Sequence, residues 1–207
     1  MPDIPFDPAG LAWDKQGGLL PAIVQHADTL QVLMLGYMDR AALAATLDTG
    51  RVTFFSRSRG RLWVKGERSG HHLLLEGVEA DCDADTLLVQ ARPLGPTCHL
   101  DRRSCFPAAP SDFLAELDAV IDDRHRTRPA DSYTTRLFGD GVRRIAQKVG
   151  EEGVETALAA VAQDDSALLG EAADLLFHLQ VLLRARELSL ADAVGELRDR
   201  HGDAPPR

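Results

Sequence analysis

The chain has 207 residues, 44% of them hydrophobic and 27% charged, and a formal net charge of −9. That make-up fits an ordinary globular protein of one or two domains, and the acidic balance excludes a general nucleic-acid binder, which needs a basic face. No apolar run approaches a bilayer span, and the start, MPDIPFDPAGLAW, lacks the basic end and apolar core of a signal peptide, so a cytoplasmic protein with no membrane partner is expected.

The first part reads as β-rich. Pro21–His26 and Gln31–Tyr37 are short apolar runs around a polar turn, which predicts a hairpin. Asp39 is a good N-cap for a helix over Arg40–Leu47, with Gly50 just past its end. Val52–Ser56, Leu62–Lys65, Leu73–Cys82 and Thr86–Arg92 are further strand candidates, and Pro93, Gly95 and Pro96 end the regular pattern. Pro107-Ala-Ala-Pro110 is the clearest punctuation.

Beyond it the period becomes helical. Ser111 is a candidate cap for Phe113–Asp123, with Phe113, Leu117, Val120 and Ile121 spaced for one face. Asp131-Ser132 can cap a helix to Phe138. Long amphipathic helices follow over Val142–Ala162 and Ala167–Glu187, with Asp164, Asp165 or Ser166 as the cap between them. Ser189 starts a last helix to about His201, and the tail GDAPPR is expected to fray. Charge also shifts at the boundary. Residues 1–106 carry 11 Lys/Arg and 13 Asp/Glu, net −2; residues 107–207 carry 12 and 19, net −7.

The chemistry-bearing residues fall in three groups. In DCDAD, the period-2 alternation of a strand puts Asp81, Asp83 and Asp85 on one face and Cys82 on the other. Three carboxylates make a hard oxygen site suited to Mg²⁺, while a thiolate suits Zn²⁺. A solvated turn is the competing reading. Cys98 and Cys105 lie in a polar loop bounded by Pro and Gly, and three thiolates with an open fourth position describe a catalytic zinc. An odd cysteine count argues against a disulfide framework.

The second group is Arg51–Arg68, with six Lys/Arg against one Glu. Arg57, Arg59, Arg61, Lys65 and Arg68 read either as a solvated face or as phosphate ligands, with Trp63 as a stacking surface. His71 and His72 follow, as proton carriers or as structural residues. The third group is on the two long helices. Glu152/Glu155 and Glu171/Asp174 recur at i, i+3, and Glu151 is adjacent. Folding these helices about Gln163–Asp164 sets Glu155 opposite Glu171 and Glu152 opposite Asp174. Converging acids repel unless a cation neutralises them, and Mg²⁺ on carboxylates grips polyphosphate. Arg136, Arg143, Arg144 and Lys148 either hold phosphates or pair with the acids.

These segments carry a resemblance. SRSRGRLWVKGERSG (56–70), DCDAD, GPTCH (95–99) and SCF (104–106) resemble phosphoribosyl-AMP cyclohydrolase. SYTTRLFGDGVRRIAQKVGEEGVETALAA (132–160) and EAADLLFHLQVLL (171–183) resemble phosphoribosyl-ATP pyrophosphohydrolase. Together they are similar to the fused bifunctional enzyme family of histidine biosynthesis. The resemblance implies a β-rich α+β cyclohydrolase domain over 1–107 and an all-α pyrophosphohydrolase bundle over 108–207. Phosphoribosyl nucleotides are the implied substrates. It implies Zn²⁺ on Cys82, Cys98 and Cys105, shared across a homodimer, and Mg²⁺ on Asp81, Asp83 and Asp85. A second Mg²⁺ site is implied on Glu151, Glu152, Glu155, Glu171 and Asp174. His72, His99 and Glu152 are the implied catalytic groups, and Arg57, Ser58, Trp63, Lys65 and Lys148 the substrate contacts. Arg68 and His71 depart from the family's KGETSGN pattern.

Overall fold

The computed structural model describes residues 6 to 202. The chain divides into two compact units, one ending at Asp112 and the other starting at Phe113.

In the first unit, a short 3₁₀ turn over Trp13–Gln16 precedes β1 (Leu20–His26), β2 (Val32–Met38) and α1 (Arg40–Thr49). Then come β3 (Thr53–Ser56), β4 (Arg61–Val64), β5 (Leu73–Ala80) and β6 (Leu87–Pro93). Four strands form one sheet in the order β2-β1-β6-β5, and β3-β4 is a separate two-stranded ribbon. β1 and β6 run parallel, in a register that pairs Ala22 with Leu87 and Val24 with Val89. Side chains alternate across a strand, so Leu20, Ala22 and Val24 share a face with Leu87, Val89 and Ala91. That face is fully buried, against Leu43 of α1, Phe54 of β3 and Trp13. The predicted caps of α1 are present: Asp39 accepts the Ala42 N–H at 2.7 Å, and Gly50 closes the helix in the left-handed conformation.

Both outer edges of this sheet are covered by its own unit. Beside β5, the Val52 N–H donates to the Leu73 carbonyl and the Leu75 N–H to that of Gly50. Beside β2, the Cys105 N–H donates to the Leu33 carbonyl at 2.8 Å and the Ser104 hydroxyl to that of Val32 at 2.7 Å.

The second unit is helical: α2 (Phe113–Thr127), α3 (Tyr133–Asp140), α4 (Val142–Ala162), α5 (Asp165–Arg184) and α6 (Leu190–His201). Of the three candidate caps for α5, Asp164 is the one used, accepting the Ala167 N–H at 2.9 Å. Ser189 and Asp192 form a reciprocal capping box on α6. The core is Ile121, Leu137, Phe138, Ile145 and Val181. Arg184 ties α5 to α2 through Asp118 at 2.7 Å and Asp122 at 3.2 Å.

Two expectations change here, and one is not reached. The stripe on α2 is not a single buried face: Ile121 is buried and Leu117 packs on the core, but Phe113 and Val120 are exposed. Successive helical positions step by a fixed angle, and Phe113 lies at the helix end, beyond its neighbours' reach. One segment does approach a bilayer span, since α5 has 20 residues and a window of mean hydropathy 1.3. It carries Glu171, Asp174 and His178 along one side and packs against α4. The predicted frayed tail beyond Gly202 lies outside the described residues.

Candidate active sites

The DCDAD segment is a turn, where alternation had suggested a strand. β5 stops at Ala80 and β6 resumes at Leu87. Two local features bend the chain. Ala84 has a left-handed φ of 59°, and the Asp81 carboxylate accepts the backbone N–H groups of Asp85 and Thr86 at 2.9 and 3.0 Å. The outcome for the acids is nonetheless convergence: Asp81, Asp83 and Asp85 bring ligand atoms within 4.8 Å of one another. Lys15 lies against this trio, 2.7 Å from Asp83 and 3.6 Å from Asp85. Its hydrogen bond holds the Asp83 carboxyl below the usual carboxylate range. The Ala12 N–H donates to the Ala84 carbonyl at 2.7 Å, which anchors the Lys15 segment on the turn. Nothing in the sequence connects residue 15 to residue 83, so Lys15 was not legible.

The basic stretch and the cysteine loop face one cavity of about 640 Å³. Ser58, Arg59, Trp63, Lys65, Arg68, His71, Cys98, His99 and Cys105 are among its walls. Trp63 packs on Phe54 with ring centres 5.7 Å apart, so its orientation is set by the core. Arg57 is elsewhere: its guanidinium stacks 3.7 Å from the centre of the Tyr37 ring, and it is not a cavity wall. His72 also turns from the cavity, with a ring nitrogen 2.9 Å from the Lys65 carbonyl oxygen, while its neighbour His71 lines the cavity. Gly66 makes this crossing possible. It has a φ of +85°, and a Cβ there would sit 2.4 Å from the His71 backbone.

Cys98 is buried and Cys105 is exposed. Burial, then the neighbouring Cys98, pushes the Cys105 thiol up, and Lys65 opposes that shift. Burial in turn lowers the Lys65 ammonium. The His99 ring lies 3.9 Å from the Cys98 sulfur. Cys82 is exposed on the DCDAD turn, and the three cysteines do not form a trio as the acids do, among the described residues. Two adjacent thiols fit a soft cation, but a single copy does not gather the third.

On the helices, Glu152, Glu155 and Glu171 bring ligand atoms within 4.8 Å. The predicted opposition of Glu155 and Glu171 is present in this trio; the carboxylate of Asp174 is not part of it. Glu155 is pushed up, by burial first and then by Glu152 and Glu171. Glu151 faces a different way and is engaged by Gln147 at 2.7 Å and Lys148 at 3.1 Å. Lys148 also reaches Glu152 at 2.8 Å, and these acids hold its ammonium well above its ordinary value. Behind the trio lies His178, missed in the sequence although it stands four residues after Asp174 and seven after Glu171, on the same side of α5. Both trios are all-carboxylate donor sets, which suit a hard divalent ion.

Comparison with known proteins adds an independent line. A family model described as phosphoribosyl-AMP cyclohydrolase matches residues 34–107, and one described as phosphoribosyl-ATP pyrophosphohydrolase matches residues 114–201. The "Histidine biosynthesis bifunctional protein HisIE" of Xylella fastidiosa is 70% identical over 191 residues, covering 92% of this chain and 93% of that protein. Its counterpart in Xanthomonas axonopodis pv. citri is 67% identical, covering 93% and 94%. That of Yersinia pestis is 54% identical, covering 92% and 95%.

Proposed function

Since the chain belongs to the family of bifunctional histidine-biosynthesis proteins and joins two hydrolase domains, we propose that it carries out two successive hydrolyses on one nucleotide in the cytoplasm. The helical unit releases pyrophosphate from phosphoribosyl-ATP. The β-rich unit then adds water across N1–C6 of the adenine ring of phosphoribosyl-AMP and opens it. The observation that carries this reading is the pairing of a thiol-walled cavity and an acid turn in one unit with an acid trio in the other.

When bound, Zn²⁺ on the thiolates supplies hydroxide at neutral pH, and Mg²⁺ on the carboxylates screens phosphate charge. Cys98 and Cys105 hold the zinc in one copy and Cys82 supplies its ligand from a second, so the enzyme acts as a homodimer. The exposure of Cys82 supports this, as do the exposed Val154, Leu158 and Val161 at i, i+4, i+7 on α4. Trp63 stacks on the base, and Ser58, Arg59, Lys65 and Arg68 bind the phosphates from the cavity wall. His99, beside the thiols, moves the proton; His72 fixes the Lys65 peptide. In the helical unit Glu152, Glu155 and Glu171 form the inner acid set. Glu151 and Asp174 would join the set when the ion binds, and Lys148 neutralises Glu152 until a phosphate arrives.

The test is direct. Phosphoribosyl-ATP is incubated with the protein, Zn²⁺ and Mg²⁺, and pyrophosphate and ring-opened product are followed together. Both should appear, in that order. Pyrophosphate without ring opening would remove the assignment of the first unit, and no pyrophosphate would remove that of the second.

A further inference from the structure

The acid trio on α4 and α5 is backed by a hydrogen-bonded layer that the proposed reaction does not use. Glu152 is only 4% exposed, and a carboxylate so buried must have its oxygens engaged. Its Oε1 lies 2.8 Å from Lys148 Nζ and 3.5 Å from His178 Nδ1. His178 is equally buried, and its Nδ1 also lies 2.9 Å from the Asp174 carbonyl oxygen. The Asp174 carbonyl oxygen only accepts hydrogen bonds, so that nitrogen carries a proton in either charge state of the ring. On the other side, Nε2 is 3.2 Å from the Tyr133 hydroxyl, which donates to it when the ring is neutral. Tyr133 is the first residue of α3, whose start is capped by Ser132, and its ring stacks on Phe177 at 6.2 Å. The imidazole is therefore held by three groups: the Asp174 carbonyl, the Tyr133 hydroxyl and the Phe177 ring at 5.1 Å.

The like charges of Glu155 and Glu171 favour rotation of Glu152 away from them. We propose that His178 is the positioning residue of this site: its Nδ1–H edge, bonded to the Asp174 carbonyl and 3.5 Å from Glu152 Oε1, holds Glu152 facing Glu155 and Glu171 by close electrostatic contact, and Tyr133 fixes the ring that does so. The inference rests on the reading of this trio as the divalent-ion site for pyrophosphate release.

Mn²⁺ serves as the probe, with free ion followed by electron paramagnetic resonance on the full chain. An Asp81→Asn, Asp83→Asn background leaves the helical trio as the acid site titrated. His178→Asn keeps an N–H near the Nδ1 position, so its affinity should stay within about two-fold of the parent. His178→Gln and His178→Leu lack that donor and should weaken binding by about ten-fold or more, the usual cost of losing the group that orients a metal ligand. Tyr133→Phe should weaken it by about three-fold, less than loss of the donor itself. Saturating Mn²⁺ should restore pyrophosphate turnover to His178→Gln, because the variant loses geometry and no reacting group. Equal affinities for the Asn and Gln variants would overturn the proposal. That pair, differing by one methylene, decides even if the Leu variant fails to fold. Glu155→Gln with Glu171→Gln is the check on the underlying reading: unchanged Mn²⁺ binding there would remove the site itself, whatever His178 shows.

Discussion

Each unit gathers three carboxylates within the same 4.8 Å, yet by opposite means. The trio at residues 81–85 is made by a five-residue turn. Two backbone N–H groups and one left-handed residue suffice, and its side chains stay open to water, Asp83 with 57% of its side chain exposed. The trio at 152, 155 and 171 needs two helices packed in register, and it buries Glu152 against Lys148 and His178. A turn-borne site is cheap to form and is balanced by an exposed counter-ion, Lys15. A helix-borne site depends on the core beneath it and carries its own fixed second layer. The thiols add a third case: two lie in one loop and Cys82 on a separate turn, so one copy does not gather all three.

The comparison can be broken most sharply at the cysteines. Cys82→Ala and Cys98→Ala should each lower ring opening by about 10³-fold with pyrophosphate release retained. Mixing the two variants as unfolded chains and refolding them should recover about a quarter of the ring opening. Half the dimers are then mixed, and each has one complete site of two. Failure to complement would place all three thiolates in one copy.

Next is Glu155→Gln, expected to lower pyrophosphate release by about 10²-fold. It should also raise the melting temperature of the metal-free protein at neutral pH. The sign follows from the raised carboxyl. The native state holds that proton to higher pH than the unfolded chain, so this group favours folding at low pH. The contribution is lost as pH rises through the native value. Mg²⁺ should stabilise the helical unit of the parent and leave that of Glu155→Gln nearly unmoved.

Gly66→Ala tests the cavity wall. A positive φ and a contact with backbone leave no inexpensive relief, so a loss of about 3 kcal/mol is expected in chemical denaturation. The smallest effect belongs to Lys15→Met. Removing an exposed ammonium that competes for the turn should tighten Mn²⁺ binding there by about three-fold, and only at low ionic strength.

Much of the fold was legible because local rules agreed with the tertiary outcome. Asp39 and Gly50 bracket α1, Ser132 and Ser189 start their helices, and Pro107–Pro110 falls just before the division at Asp112. Mirrored spacing about the α4–α5 turn found Glu155 and Glu171. The same count set Asp174 opposite Glu152; its carboxylate stands outside the trio, because side-chain direction around each helix decides which groups converge. DCDAD obeyed an alternation that its own side chains interrupt, since Asp81 caps the backbone of Asp85 and Thr86. Lys15, Arg57 and His72 were beyond reach for another reason. Their partners, Asp83, the Tyr37 ring and the Lys65 carbonyl, are chosen by the packing of separate segments.

The cysteine loop does more than present thiols. Its Ser104 and Cys105 occupy the hydrogen-bonding rim of β2, where an open strand would offer itself to another chain. Under the proposed zinc assignment, a loop loosened at its thiols would uncover that rim, so a chelator should promote self-association as well as inhibit, and added zinc should counter both.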